Sequence, residues 1–138
     1  VTAVELTDEG KIKRMYALKI DNYSAKELET IFDKHIDKDA KITTDKWKGY
    51  RPLFQDYDIT QIESNNGMNF MALHTMIHQV KSWIRTTYSS VSDFNINRYL
   101  DEFCYRINRS QSKDTIFNNL IKRMVEAEKI YQSKIICS

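Results

Sequence analysis

Asp45 is the first residue of this 138-residue chain whose type and position suit chemistry. It sits in Thr43-Thr44-Asp45-Lys46-Trp47-Lys48-Gly49-Tyr50, where a short β-branched stretch gives way to a polar loop. Ligands of open α/β sheets gather at the carboxyl ends of strands, so the position suits a carboxylate that holds a metal ion. Capping of the following turn is the plainer role for the same residue. Trp47 between Lys46 and Lys48 adds an aromatic plane flanked by two cations, a combination that serves contacts to single-stranded or distorted DNA.

A second group, His74, His78, Lys81 and Arg85, recurs at offsets of four, seven and eleven and so falls on one helical stripe. His74 would supply a metal ligand while Lys81, two turns on, touches a phosphate. A zinc pair of His74 and His78 is the competing chemistry. It lacks the intervening Glu of the metalloprotease motif and has only the distant His35 as a further histidine. A solvated basic face with no chemistry is the plain alternative.

The third group, Glu102, Arg106 and Arg109, repeats the four and seven offsets within Tyr99-Leu100-Asp101-Glu102-Phe103-Cys104-Tyr105-Arg106-Ile107-Asn108-Arg109-Ser110. A Glu–Arg pair at i, i+4 is ordinary on a solvated helix and contributes only about 0.2–0.5 kcal/mol. Arg109 extends the row, however, and the adjoining apolar stripe requires packing against the preceding helix, so both polar rows can border one cleft.

The elements that must position these groups follow from periodicity. Val1, Ala3, Val4 and Leu6, a turn at Asp8-Glu9-Gly10, then Ile12, Met15, Tyr16, Leu18 and Ile20 read as an antiparallel hairpin. Ser24 with Glu27 three residues on forms a capping box, followed by Leu28, Ile31, Phe32 and Ile36 at helical spacing. Ala40 to Thr44 predicts a strand ending at Asp45, and Ile59 to Ile62 another, on either side of a segment from Tyr50 to Tyr57. From Met71 onward no Gly or Pro occurs, and three apolar stripes predict helices: Leu73, Ile77, Val80, Ile84; Ile96, Leu100, Phe103, Ile107; and Ile116, Leu120, Met124, extensible to Ala127. Ser92 or Asp93 would cap the second of these helices and Ser112 or Asp114 the third.

Composition bounds the answer. With 41% hydrophobic and 29% charged residues the chain can bury a core, which excludes a disordered or fibrous protein, and its length suits one domain. The charge of +2 is too small for bulk attraction to nucleic acid, so any such binding must come from a local basic face. Two cysteines, Cys104 and Cys137, exclude a disulfide framework and a Cys-rich zinc module and fit a reducing cytoplasm. Apolar runs are too short for a membrane span or a signal peptide. The opening at Val1, without Met and already inside an apolar stretch, points to a fragment of something longer.

Together these residues resemble bacterial insertion-sequence transposases of the DDE type, the family with a Glu, +4 Arg, +7 Arg signature. Thr44 to Tyr50 resembles that family's strand-end motif, in which the Asp is the second catalytic carboxylate. His74 through Lys81, then Tyr88 and Val91, resembles its third catalytic segment, and Tyr99 to Ser110 the signature helix almost residue for residue. The likeness is least distinctive before Asp37 and after Ser110.

The resemblance implies an α/β fold, a ribonuclease H-like mixed sheet with helices on its faces and, here, a helical C-terminal half. It also implies Mg2+ or Mn2+ bound by acidic residues, strand cleavage and strand transfer on transposon ends and target DNA, a homo-oligomer when full length, and a nucleoid-associated, cytoplasmic setting. Asp45 and His74 would bind the metal. Lys46, Trp47, Lys48, His78, Lys81, Arg85, Arg106 and Arg109 would meet DNA, and Glu102, Arg106 and Arg109 would organise the site.

Two departures stand out. The family usually carries Glu seven residues before the Lys, where this chain has His74; a neutral imidazole holds Mg2+ less firmly and tolerates Mn2+ better. Gln79 and Glu102 are lesser candidates for that place. The first catalytic Asp has no counterpart: Asp8 lies in a turn and Asp21 follows the third strand of the fold. The opening strand with its Asp is therefore expected upstream of Val1. A degenerate remnant that binds DNA without catalysis, and an interaction domain with two solvated polar rows, remain the alternatives.

Overall fold

The alternation near the amino end does build a hairpin. In the computed structural model, which describes residues 1–110 and 113–131, strand β1 (Thr2–Leu6) pairs antiparallel with β2 (Ile12–Ala17), Val4 opposite Met15 and Thr2 opposite Ala17. Gly10 closes the turn at a left-handed φ of 77°, which glycine adopts without a Cβ clash, and its N–H donates to the Thr7 carbonyl at 2.8 Å. β2 ends at Ala17, short of the Leu18–Ile20 stretch that alternation alone includes.

Contacts divide the chain into two units, residues 1–19 with those from 72 onward, and residues 20–71. The first unit adds to the hairpin three helices, α2 (Met71–Thr87), α3 (Ile96–Arg109) and α4 (Ile116–Glu126). α2 and α3 close over β2. Met15, Ala17, Met76, Val80, Phe103 and Cys104 form the buried centre, flanked by Val4, Ile12, Trp83, Ile84, Leu100 and Ile107. Met76, 2% exposed, is the most buried residue of α2, although the stripe read from the sequence did not include it.

A polar tie completes this packing. The Asn108 side chain accepts from the Met15 N–H at 2.7 Å and donates to the Met15 carbonyl at 2.9 Å, satisfying both backbone groups of a residue that is 1% exposed. Cys104 is free and buried, and burial pushes its thiol up and away from reactivity; Cys137 lies outside the described residues.

The expected caps are met at one helix and displaced at two. Ser24 caps α1 (Ala25–His35), its hydroxyl accepting from the Glu27 N–H at 3.2 Å. α3 starts after Asn95 and not after Ser92 or Asp93: the Asn95 N–H donates to the Ser92 carbonyl, a turn that delays the helix, and Asp93 is drawn instead to Lys19 at 3.0 Å. α4 starts after Thr115 and not after Asp114, while Ser112 lies outside the described residues. Ala127 follows α4 in extended conformation. The apolar stripe of α4 buries nothing; Phe117, Leu120, Ile121, Met124 and Val125 are all exposed.

The second unit is a small α/β assembly. β3 (Lys41–Thr44) and β4 (Asp58–Gln61) pair parallel, Ile42 beside Ile59 and Thr44 beside Gln61. Parallel neighbours need a crossover of a dozen or so residues, and residues 45–57 supply it, mostly as a 3-10 segment (Lys48–Gln55) that carries Pro52. α1 buries Leu28, Ile31 and Phe32, and Leu53 and Tyr57 of the crossover are buried too. Phe32 and Tyr57 meet edge to face at 5.2 Å. A second 3-10 stretch (Asn65–Phe70) breaks at Asn66 and Gly67, both with positive φ.

The described strands thus form two two-stranded sheets, one antiparallel and one parallel, in a mixed α/β chain. No helix of the described residues is long and apolar enough to cross a membrane.

Candidate functional site

Asp45 emerges directly from the carboxyl end of β3. Thr44 before it is buried and held, its carbonyl accepting from the Ile62 N–H at 2.9 Å and its hydroxyl donating to the Asp45 carbonyl at 3.1 Å. One carboxylate oxygen, Oδ1, accepts from the Trp47 N–H at 3.2 Å, so the turn-capping role is realised. The other, Oδ2, has no partner among the described residues. Gln61, at the end of the neighbouring strand, donates through Nε2 to the carbonyls of Asp45 at 2.9 Å and Trp47 at 3.0 Å. Both roles read from the sequence are therefore open to one side chain.

The basic and aromatic residues beside it divide. Lys46 is paired with Glu63 at 2.7 Å, an ion pair that holds the Glu63 carboxyl below its ordinary range. Lys48 is exposed and forms no ion pair among the described residues. The Trp47 ring stands edge to face with Tyr50 at 5.4 Å and lies over Gly49, where any Cβ would collide with its six-membered ring. Gly49 thus lets the indole fold back on its own loop. Burial, and then the Asp45 charge, raises the Tyr50 phenol above its usual range.

In the other unit, His74, His78, Lys81 and Arg85 all lie on the exposed side of α2, opposite the buried Met76 and Val80. α2 contains no Asp or Glu, so this stripe is uniformly cationic or neutral. Gln79 is exposed beside it. His35 belongs to α1, in the unit of Asp45.

On α3 the Glu102–Arg106 pair forms with both nitrogens on one oxygen, Arg106 Nε at 3.1 Å and Nη2 at 2.7 Å from Glu102 Oε1. The remaining oxygen, Oε2, accepts from the Tyr88 hydroxyl at 3.0 Å. Tyr88 is itself wedged against Tyr99 at 4.2 Å and Trp83 at 5.4 Å between centroids. Its phenol is raised first by burial and then by the bond to Glu102. Both oxygens of Glu102 are thereby engaged, which fits an orienting role better than a metal-binding one. Tyr88 is fourteen residues from Glu102 in a different element, so spacing could not reveal the contact.

Arg109, half-buried, lies with its guanidinium carbon 5.6 Å from the Tyr105 ring centre. Among the described residues no three His, Cys, Asp or Glu side chains gather where they could hold a metal ion. Asp45 offers one hard oxygen and His74 one imidazole, from separate units. The donor set for a divalent cation is thus incomplete in the described residues.

Residues 1–108 match the family model described as the ISXO2-like transposase domain. No curated protein and no solved structure matches the chain.

Proposed function

The chain belongs to the ISXO2-like transposase domain family, and we propose that it is the catalytic core of an insertion-sequence transposase that cleaves and joins DNA strands. The reading rests on Asp45, an exposed carboxylate with one oxygen unpartnered among the described residues, at the carboxyl end of a strand in a parallel pair. In this reading the two units are parts of one ribonuclease H-like domain. Asp45 would supply one carboxylate oxygen to Mg2+ or Mn2+, His74 is the candidate for the family's third metal-binding position, and Lys81 contacts a phosphate. The metal, when bound, would supply charge stabilisation for in-line phosphoryl displacement.

What this chain's own residues do is bind and orient DNA. The carboxylate-free face of α2 and the exposed Lys48 attract the phosphate backbone, Trp47 offers a plane for a base, and Glu102 holds Arg106 toward the strand. The working protein is an oligomer on paired DNA ends.

A second reading, a non-catalytic remnant that still binds DNA, is favoured by His74 standing where the family resemblance expects a carboxylate. Melting of the wild-type chain, Asp45→Asn and His74→Ala with and without Mn2+ separates the two. Metal-dependent stabilisation that both substitutions abolish supports the catalytic reading. Equal melting with and without Mn2+, alongside salt-dependent DNA binding, assigns the remnant.

A further inference from the structure

We propose that the groove between Arg109 of α3 and Lys122 and Arg123 of α4 binds a backbone phosphate of DNA. This rests on the transposase reading above and extends it beyond the matched residues, since α4 lies outside 1–108.

Two guanidinium groups converge on one ring. Arg109 and Arg123 each lie 5.6 Å from the Tyr105 ring centre, and among the described residues neither forms an ion pair. The groove is lined by these two with Asn119, Lys122 and Glu126. Its single carboxylate among the described residues, Glu126, sits 3.8 Å from Lys122, at the outer limit of pairing, and on an exposed helix such a pair is weak. Three cations against one loosely paired anion leave the groove net positive.

Like charges gathered round a single ring repel one another, and a bound anion relieves that repulsion. Arginine suits that anion: its planar fork matches phosphate oxygens, and the Tyr105 ring limits the freedom each guanidinium must lose on binding. The Tyr105 hydroxyl is buried with no hydrogen-bond partner among the described residues, so the ring itself is what the two arginines meet.

α4 is turned in a way that burial alone does not explain. Its polar side, with Arg123 against Tyr105, faces α3, while Phe117, Met124 and Val125 are left 66–80% exposed. The cations are thereby held next to Arg109, one turn from Arg106 on the same helix. A linear polyanion running along α3 meets Arg106, Arg109 and then the groove. That continuity favours DNA over an anionic membrane, for which the basic residues of α4 would flank its apolar side at the lipid surface.

Fluorescence anisotropy with a labelled DNA duplex tests the site in the full 138-residue chain, using wild type, Arg123→Gln, Lys122→Gln/Arg123→Gln and Arg123→Lys. All substituted positions are exposed, and far-UV melting checks that folding is unchanged. The double variant is expected to bind roughly tenfold more weakly, with the slope of log Kd against log salt reduced by about one to two. Arg123→Lys should restore the slope and only part of the affinity.

Unchanged Kd and slope in the double variant, with wild type binding DNA, overturn the groove alone. A wild-type chain that shows no salt-dependent DNA binding overturns the transposase reading as well. DNA binding indifferent to Arg123→Gln, combined with anionic vesicle binding that Phe117→Ser/Met124→Ser abolishes, overturns the proposal in favour of a membrane surface.

Discussion

The Tyr88 hydroxyl donates to Glu102 Oε2 at 3.0 Å while Arg106 grips the other oxygen, so a residue beyond α2 fixes the first member of the α3 signature. Glu102 and Arg106 alone would be an ordinary exposed pair, with 40% and 65% of their side chains accessible and little effect on stability. The third partner turns the pair into an aimed guanidinium.

Tyr88→Phe keeps the ring contacts with Tyr99 and Trp83 and removes only the hydroxyl. Melting should fall by about 2–4 °C. Because the bond to Glu102 raises the phenol, Glu102→Gln should shift the alkaline titration of Tyr88 toward lower pH. The absorbance difference from Tyr88→Phe isolates that one tyrosine among the eight.

Asn108→Ala strands the Met15 N–H and carbonyl in a site that is 1% exposed. A cost of about 2–3 kcal/mol is expected in denaturant unfolding, with faster hydrogen exchange at the Met15 amide. Asn108→Asp should be no better, since a carboxylate cannot donate to the Met15 carbonyl.

Gly49→Ala places a methyl group where the Trp47 ring lies. The indole must move out, which should destabilise the unit by about 1–3 kcal/mol and red-shift the Trp47 emission when measured in a Trp83→Phe background.

Asp33 accepts from Lys38 and from the Tyr57 hydroxyl, each at 2.9 Å, and Lys38 sits 4.0 Å from the Tyr57 ring centre. The hydrogen bond from Lys38, then that from Tyr57, lowers the Asp33 carboxyl below its ordinary value of 3.8. A depressed carboxyl stabilises the fold above that ordinary value and loses the contribution as pH falls through the folded one. Wild type should therefore lose stability relative to Asp33→Asn as pH falls below the ordinary carboxyl value of 3.8, in melts read at successively lower pH; a constant difference would dismiss the triad as a source of acid sensitivity.

The hairpin, the Ser24 cap and the strand that delivers Asp45 were legible because each is written in neighbouring residues: alternation, a capping box, a β-branched run before an acid. The starts of α3 and α4 were not, because several polar residues compete there and the choice depends on turns that local pattern does not rank. Met76 escaped because the apolar stripe drawn through Leu73, Ile77 and Val80 passed beside it. The residue types of the candidate site are written in the sequence, but the contacts among them are not. The partners of Glu102 and Lys46, Tyr88 and Glu63, lie on other elements, and only tertiary packing decides that they meet.

Gln61 donates one amide nitrogen to two carbonyls of the Asp45 loop. The loop is consequently held in shape by a neighbour in the same sheet, which reduces the conformational freedom of its backbone. Substitutions at Gln61 should accordingly loosen the Asp45 loop, read as faster hydrogen exchange at the Trp47 amide.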